Sequence, residues 1–208
     1  MFQLNTAEAW RLYGYSKEGC IISNYKIGLW KPNDYGPNPT SPKSGYISGY
    51  FSSSKESSSA RDEAVDEYVR YIAYMIELMI GKMKPLPTPQ QFVVLFDLEG
   101  FTTDMVLNKR ARYMIARLIY VAQSQYPERL RKVYLINAPW GFSTAWKLIK
   151  ALLDPKTASK VSFVSGDLAE AMSEHIDIDT LSSPYGGNHE EYRAPSLSLD
   201  EEIKLEFE

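Results

Sequence analysis

The sequence predicts an α/β fold, a mostly parallel sheet with helical layers. Two continuous apolar runs, Phe92 to Phe96 and Val133 to Ile136, have the length and composition of strands buried on both faces. Long stretches of helical periodicity separate them. The segment from Tyr126 to Val161 then reads as strand, Pro-Trp-Gly corner, helix and second strand, the size of one βαβ crossover. Strands alternating with helices in this way require a sheet with helices packed on it.

In chain order, the turn Ser16, Lys17, Glu18, Gly19 precedes a strand at Cys20 to Tyr25. From Lys31 to Ser59 the composition shifts to Pro, Gly, Asn, Tyr and Ser, ending in SSSKESSS. Too few aliphatic groups are present there to offset ordering entropy, so a long loop over 31–60 is expected, with a short strand at Tyr46 to Phe51. A linker or a phosphorylated serine loop would both fit the serine run. Val65, Tyr68, Val69, Ile72, Ile76, Met79, Ile80 and Met83 recur at helical steps, predicting a helix from Arg61 to Lys84 that Pro85 and Pro87 stop.

The strand Phe92 to Phe96 ends on Asp97 and Glu99, with Gly100 turning the chain away. Asp97 is expected to hold loop amides. A second long helix is predicted over Thr103 to Gln125, then the strand Val133 to Ile136, then a helix from Ser143 to Leu153. That helix carries Ala145, Trp146, Leu148, Ile149, Leu152 and Leu153, more apolar groups than one stripe of roughly 100° needs. A short helix at Leu168 to His175 and a turn at Pro184 to Gly187 complete one domain, 1–193. Residues 194–208 form an acidic tail.

Composition narrows the function classes. Hydrophobic residues make up 44% and charged residues 24%, ordinary values for a folded domain of this length. The formal net charge of −3 gives no general attraction to nucleic acid or to an anionic membrane. Any such attraction has to be local. Cys20 is the one cysteine and can form no internal disulfide, and no apolar run reaches the roughly 20 residues of a membrane-spanning helix. A cytoplasmic monomer that visits membranes without spanning them is expected. No cofactor, metal or nucleic acid is called for, since HExxH, the P-loop, the dinucleotide-binding glycine turn and cysteine clusters are all missing from the sequence.

The runs YPERLRKVYLINAPWGFSTAWKLIKALLDPKTASKV and LSSPYGG, with FVVLFDLEG before them, resemble the CRAL-TRIO lipid-binding domain of the fungal phosphatidylinositol/phosphatidylcholine transfer protein type. The resemblance covers about half of the chain, from FVVLFDLEG to Gly186 and Gly187, and is weaker around LYGYSKEG. It implies a CRAL-TRIO fold, with the sheet as the floor of an apolar lipid pocket and the helix 143–153 as a mobile gate over it. Gly141, Asp154 and Pro155 would be the gate hinges, because glycine tolerates unusual backbone angles and proline ends helices. The resemblance implies a small N-terminal helical region before the first strand, so either the sequence is part of a longer chain or the protein is expected to work without that region.

The same resemblance assigns the head-group site to Glu128, Arg129, Thr157 and Lys160. A carboxylate only accepts hydrogen bonds, which suits inositol hydroxyls, and a lysine offers three donors and a positive charge to the phosphodiester. On spacing alone, Glu128 and Lys160 would be a solvated surface pair contributing little. Phe92, Val94, Met114, Leu118, Trp146 and Ile149 are the pocket-lining candidates, although residues of these types are more often plain core than pocket wall. Phosphatidylinositol is the favoured ligand. Phosphatidylcholine is doubtful, because Phe92 and Val94 stand where the phosphatidylcholine-handling members carry hydroxyl side chains, Ser23 replaces a tyrosine, and Cys20-Ile21 replaces Arg-Pro.

Two other readings use the same residues. The pocket could take a sterol, a tocopherol-like molecule or a retinoid. Alternatively, Gly141-Phe142-Ser143-Thr144-Ala145 opens a helix after a strand, as a hydrolase nucleophile does, with His175 or His189 as base and Asp97 as orienter. Against that triad, Ser143 is more simply a helix N-cap and His175 a structural group at a helix end.

Overall fold

The computed structural model describes residues 10–30, 63–102, 105 and 107–189. The Pro/Ser-rich loop 31–60, its expected strand at Tyr46 to Phe51 and the tail 194–208 lie outside them.

The described residues form one sheet of five strands in sequential order: β1 (Trp10–Tyr15), β2 (Ile21–Lys26), β3 (Phe92–Asp97), β4 (Leu130–Ile136) and β5 (Val161–Phe163). β1 runs antiparallel to β2, and the later pairs are all parallel. The predicted strands at 20–25, 92–96 and 133–136 fall on β2, β3 and β4. β1 was not expected; a glycine and a register shift between Leu12 and Gly14 interrupt its alternation.

The helices are α1 (Glu63–Gly81), α2 (Lys109–Gln125), α3 (Phe142–Lys150), α4 (Pro155–Ser159) and α5 (Leu168–Met172). α1 stops at Gly81, before the prolines that would have ended it. α2 begins at Lys109, capped by the Asn108 side chain, which accepts from the amides of Arg110 at 2.8 Å and Ala111 at 3.2 Å. α3 is shorter than expected, and α4 occupies part of the segment assigned to a hinge.

Parallel strands laid down in one direction through right-handed crossovers place their helices on a single face. Alternation along the strands shows the result. Ile21 and Phe92 pack on Met79, with Ile76, Ile80 and Val94 around them, while Val133 and Leu135 pack with Phe142 and Ala145 of α3. The opposite face presents Ile22, Val93, Leu95, Tyr134 and Ile136, covered by Met172, Ile176, Leu181 and Tyr185 of the C-terminal segment.

That second face is closed by a polar lock. Asp97, 3% exposed, accepts from the Tyr185 hydroxyl at 2.8 Å, the Asn137 amide at 2.9 Å and the Glu99 backbone at 3.0 Å. Asn24 donates to the same Tyr185 oxygen at 2.7 Å and to Tyr13 at 3.2 Å. Burial, and then the neighbouring Asp97 carboxylate, push the Tyr185 phenol far above its ordinary range. The lock therefore ties four strand regions to the C-terminal turn. Gly187 lets that turn close: a Cβ there would lie 1.8 Å from the Leu181 carbonyl oxygen.

Candidate functional site

The expected head-group residues come from two segments. Glu128 and Arg129 lie in the turn that leads from α2 into β4, and Thr157 and Lys160 belong to α4 and its C-cap. The β4–β5 pairing brings the segments together, since the Val133 amide bonds to the Lys160 carbonyl at 3.0 Å. The Lys160 ammonium donates to the Leu130 carbonyl at 2.5 Å, so it is held over the start of β4. Glu128, in left-handed backbone geometry at φ 61°, bonds through Oε1 to the Lys156 ammonium at 2.6 Å.

Glu128 thus pairs with Lys156, a residue the motif reading passed over. Lys156 and Lys160 stand four positions apart, one turn of helix, and so share a side. That spacing, in a short segment behind an Asp-Pro helix start, was the available signal. The bond from Lys156 is the main reason the Glu128 carboxyl is held below its usual range, and the Lys160 charge adds to it. Both members of the pair are largely exposed, Glu128 65% and Lys156 67%, so the pair is solvent-screened and open to exchange for a ligand.

Arg129 is directed elsewhere. Its guanidinium donates to the Gln90 carbonyl at 3.1 Å and lies 3.8 Å from the Met83 sulfur, bracing the loop between α1 and β3. Thr157 is fixed through its amide, which bonds to Asp154 Oδ1 at 2.9 Å. Asp154 is therefore the N-cap of α4, with Pro155 in its first turn, and the Thr157 side chain, then the Thr157 amide, hold its carboxyl below the ordinary value. The Asp154 amide donates to Gln123 of α2 at 2.9 Å, which pins the far end of the α3 segment.

The lining candidates fall into three places. Val94 and Trp146 lie with the cluster under α3, where the Trp146 ring meets Phe163 edge-on at 5.3 Å. Phe92 packs against α1, with Val94 bordering both groups. Met114, fully buried, and Leu118 sit between α1 and α2 beside Trp30 and Tyr68. Ile149 is half-buried on α3.

Ser143 does not cap α3. The cap position is Gly141, at φ 90°, with no side-chain hydrogen bond, and Ser143 is exposed within the first turn. Glycine reaches that left-handed angle without a Cβ clash, which starts the helix two residues earlier than a Ser143 cap would. Among the described residues, no hydrogen bond joins Ser143 to either histidine or to Asp97. His175 Nδ1 is 3.0 Å from Glu18, whose other contacts include Arg131 at 3.1 Å, and Asp97 is committed to the polar lock. Among the described residues no group of three or more His, Cys, Asp or Glu could hold a metal ion, and no helix is long and apolar enough to cross a membrane.

A sequential, mostly parallel sheet with one antiparallel edge strand and helices packed on it defines an α/β class of fold. The chain belongs to the CRAL/TRIO domain family, whose profile it matches over residues 9–187. It is similar to the SEC14 cytosolic factor of Candida glabrata, 45% identical over 71 residues, or 34% of this chain and 24% of that one. The Sec14 cytosolic factor of Schizosaccharomyces pombe is 46% identical over 68 residues, 33% of this chain and 24% of that one. The phosphatidylinositol/phosphatidylcholine transfer protein SFH7 of Arabidopsis thaliana is 36% identical over 97 residues, 47% of this chain and 18% of that one. The chain thus spans about a quarter or less of these relatives' lengths. The crystal structure of Sfh5 shares its fold, with a TM-score of 0.62 at 16% identity, over 84% of this chain and 53% of that one.

Proposed function

We propose that this chain binds one phospholipid, phosphatidylinositol in preference to phosphatidylcholine, and carries it between membranes or presents it to a lipid-modifying enzyme. The observation that carries this reading is the placement of Glu128, Lys156 and Lys160 beside one another at the edge of the sheet. An acceptor for ring hydroxyls and two ammonium groups for a phosphodiester form a recognition set for an anionic, hydroxylated head group. Thr157 adds a hydroxyl at the same short helix. Arg129 supports the site through the loop it braces.

Acyl chains leaving a bilayer for a pocket gain little, since both surroundings are apolar, so polar contacts have to set the preference. The tails would lie on the α3 side of the sheet, lined by Val94, Trp146 and Ile149 and continued by Phe92, Met114 and Leu118. Opening requires α3 to move about Gly141 while Asp154 and Pro155 stay fixed to α2. No covalent step is involved. The similarity to proteins named as phosphatidylinositol/phosphatidylcholine transfer proteins supports the substrate class. Phe92, buried, and Val94, half-buried, offer no hydroxyl to a choline phosphate, which supports the selectivity. The working place of such a protein is the cytoplasm, as a monomer with transient visits to membranes.

A transfer assay between donor and acceptor vesicles tests this. The expected result is measurable phosphatidylinositol transfer with phosphatidylcholine transfer at least about tenfold slower, the loss of one charge-assisted contact or more. Equal transfer of both lipids would contradict the selectivity, and transfer of neither would contradict the function.

A further inference from the structure

Residues 128–131, which lead from the head-group turn into β4, are held one after another. The Glu128 carbonyl accepts from the Gln91 side chain at 2.9 Å, and the Arg129 carbonyl accepts from the Phe92 amide at 2.7 Å. The Leu130 carbonyl takes the Lys160 ammonium. The Arg131 guanidinium reaches past the start of β3 to Glu18 at 3.1 Å, in the turn between β1 and β2. The first three ties come from the entry to β3 and from Lys160 itself, whereas the fourth comes from a remote part of the sheet.

Arg131 is also the irregular residue of β4. Phe92 faces Leu130 and Val93 faces Lys132, so Arg131 is the extra residue of a bulge. A bulge re-aims the side chains beside it, and a strand that carries an extra residue is open to a shift of one position. Such a shift would carry the Leu130 carbonyl away from Lys160. It would also turn Glu128, whose left-handed backbone at φ 61° is unfavourable for a residue with a Cβ and has to be held from its flanks. Binding groups have to stay within about 0.5 Å of their working positions.

Glu18 is mounted to hold that place. Its Oε1 accepts from Arg131 and, at 3.0 Å, from His175 Nδ1, which carries the hydrogen because a carboxylate only accepts. Its Oε2 accepts from the Ser16 hydroxyl at 3.3 Å. The His175 side chain is buried, and the turn is tied to the same segment through the Lys17 amide, 2.9 Å from the His175 carbonyl, and the Lys17 ammonium, 2.7 Å from the Ser173 carbonyl. Yet the Glu18–Arg131 pair is itself 32% and 45% exposed, so it adds little to overall stability. What a firmly mounted but weakly stabilising contact supplies is position.

We propose that Glu18, acting through Arg131, is a positioning residue of the head-group site: it fixes the β4 bulge and with it the placement of Glu128 and of the carbonyl that holds Lys160. Among the described residues Glu18 makes no hydrogen bond to Glu128, Lys156 or Lys160, so its effect passes through the backbone. The inference rests on the reading of those residues as the phosphatidylinositol site.

Titration of the full chain with water-dispersed short-chain phosphatidylinositol provides the test. Arg131→Ala is expected to weaken binding about fivefold with an unchanged urea midpoint, and Arg131→Lys to recover most of the loss by restoring the cation. Glu18→Gln, which keeps the shape and removes the charge, should weaken binding to a similar extent. In a chain already carrying Glu128→Ala, the loss from Arg131→Ala should shrink to about twofold or less, because the group being positioned is gone. Unchanged binding in Arg131→Ala, an equal loss in both backgrounds, or a fall in the urea midpoint that accounts for the loss would overturn the proposal. An unmodified chain that does not bind phosphatidylinositol would overturn the head-group reading and the proposal with it. Binding that Glu128→Ala weakens and Arg131→Ala does not would overturn the proposal alone.

Discussion

Replacing Glu128 and Lys160 together with alanine is expected to reduce phosphatidylinositol transfer by at least about 100-fold while leaving the fold intact. The size follows from two charge-assisted hydrogen bonds lost at once, each worth about tenfold or more in affinity. The fold should survive, because the Glu128 side chain reaches only the exposed Lys156 and Lys160 holds a single carbonyl at the start of β4. Circular dichroism and the urea midpoint check the second half of the expectation. Transfer retained within a few-fold of the unmodified chain would remove the head-group assignment. Lys156→Ala alone is informative beside it: freeing Glu128 from its present partner raises the carboxyl toward its ordinary range, so the variant should bind the lipid more weakly at mildly acid pH than at neutral pH.

Asp97→Ala should be the most destabilising single change, costing about 3 to 5 kcal/mol. The side chain is 3% exposed and three donors converge on it, from Tyr185, Asn137 and the Glu99 amide. Alanine would leave all three without their acceptor at a site water reaches poorly, and the Tyr185 turn would lose its tie to β3. Urea unfolding gives the value directly. A loss below about 1 kcal/mol would mean that the lock contributes little and that apolar packing of Met172, Ile176 and Leu181 alone holds the C-terminal segment. Either way, head-group residues and lock lie apart, so stability and lipid recognition should separate in these two variants.

Much of the architecture was legible because the parallel strands are continuous apolar runs that only a doubly covered sheet requires. β3 and β4 announced themselves in this way, and the stripe from Val65 to Met79 announced α1. β1 did not, since an edge strand with a bulge and a glycine has neither continuous apolarity nor clean alternation. Helix starts were the weak point. Ser143 has the chemistry of a cap, but the left-handed turn at Gly141 places that glycine in the cap position, and Asp154-Pro155, read as a break, starts a helix of its own.

The candidate site came from the resemblance, since spacing alone favoured a solvated pair. The resemblance pointed to Glu128, Thr157 and Lys160, which lie on segments that strand pairing brings side by side. It could not foresee that Arg129 would turn to Gln90, nor that Lys156 would take Glu128, because both depend on which side of a turn each long side chain leaves. In the sequence Trp140 reads only as part of the Pro-Trp-Gly corner, and the folded corner shows its side chain facing out.

The most direct test of the account is mass spectrometry of organic extracts from the purified chain after incubation with mixed cellular lipids. Phosphatidylinositol is expected, recovered in stoichiometric amount and without matching phosphatidylcholine. A sterol or another neutral apolar molecule in its place, or an empty protein, would contradict it.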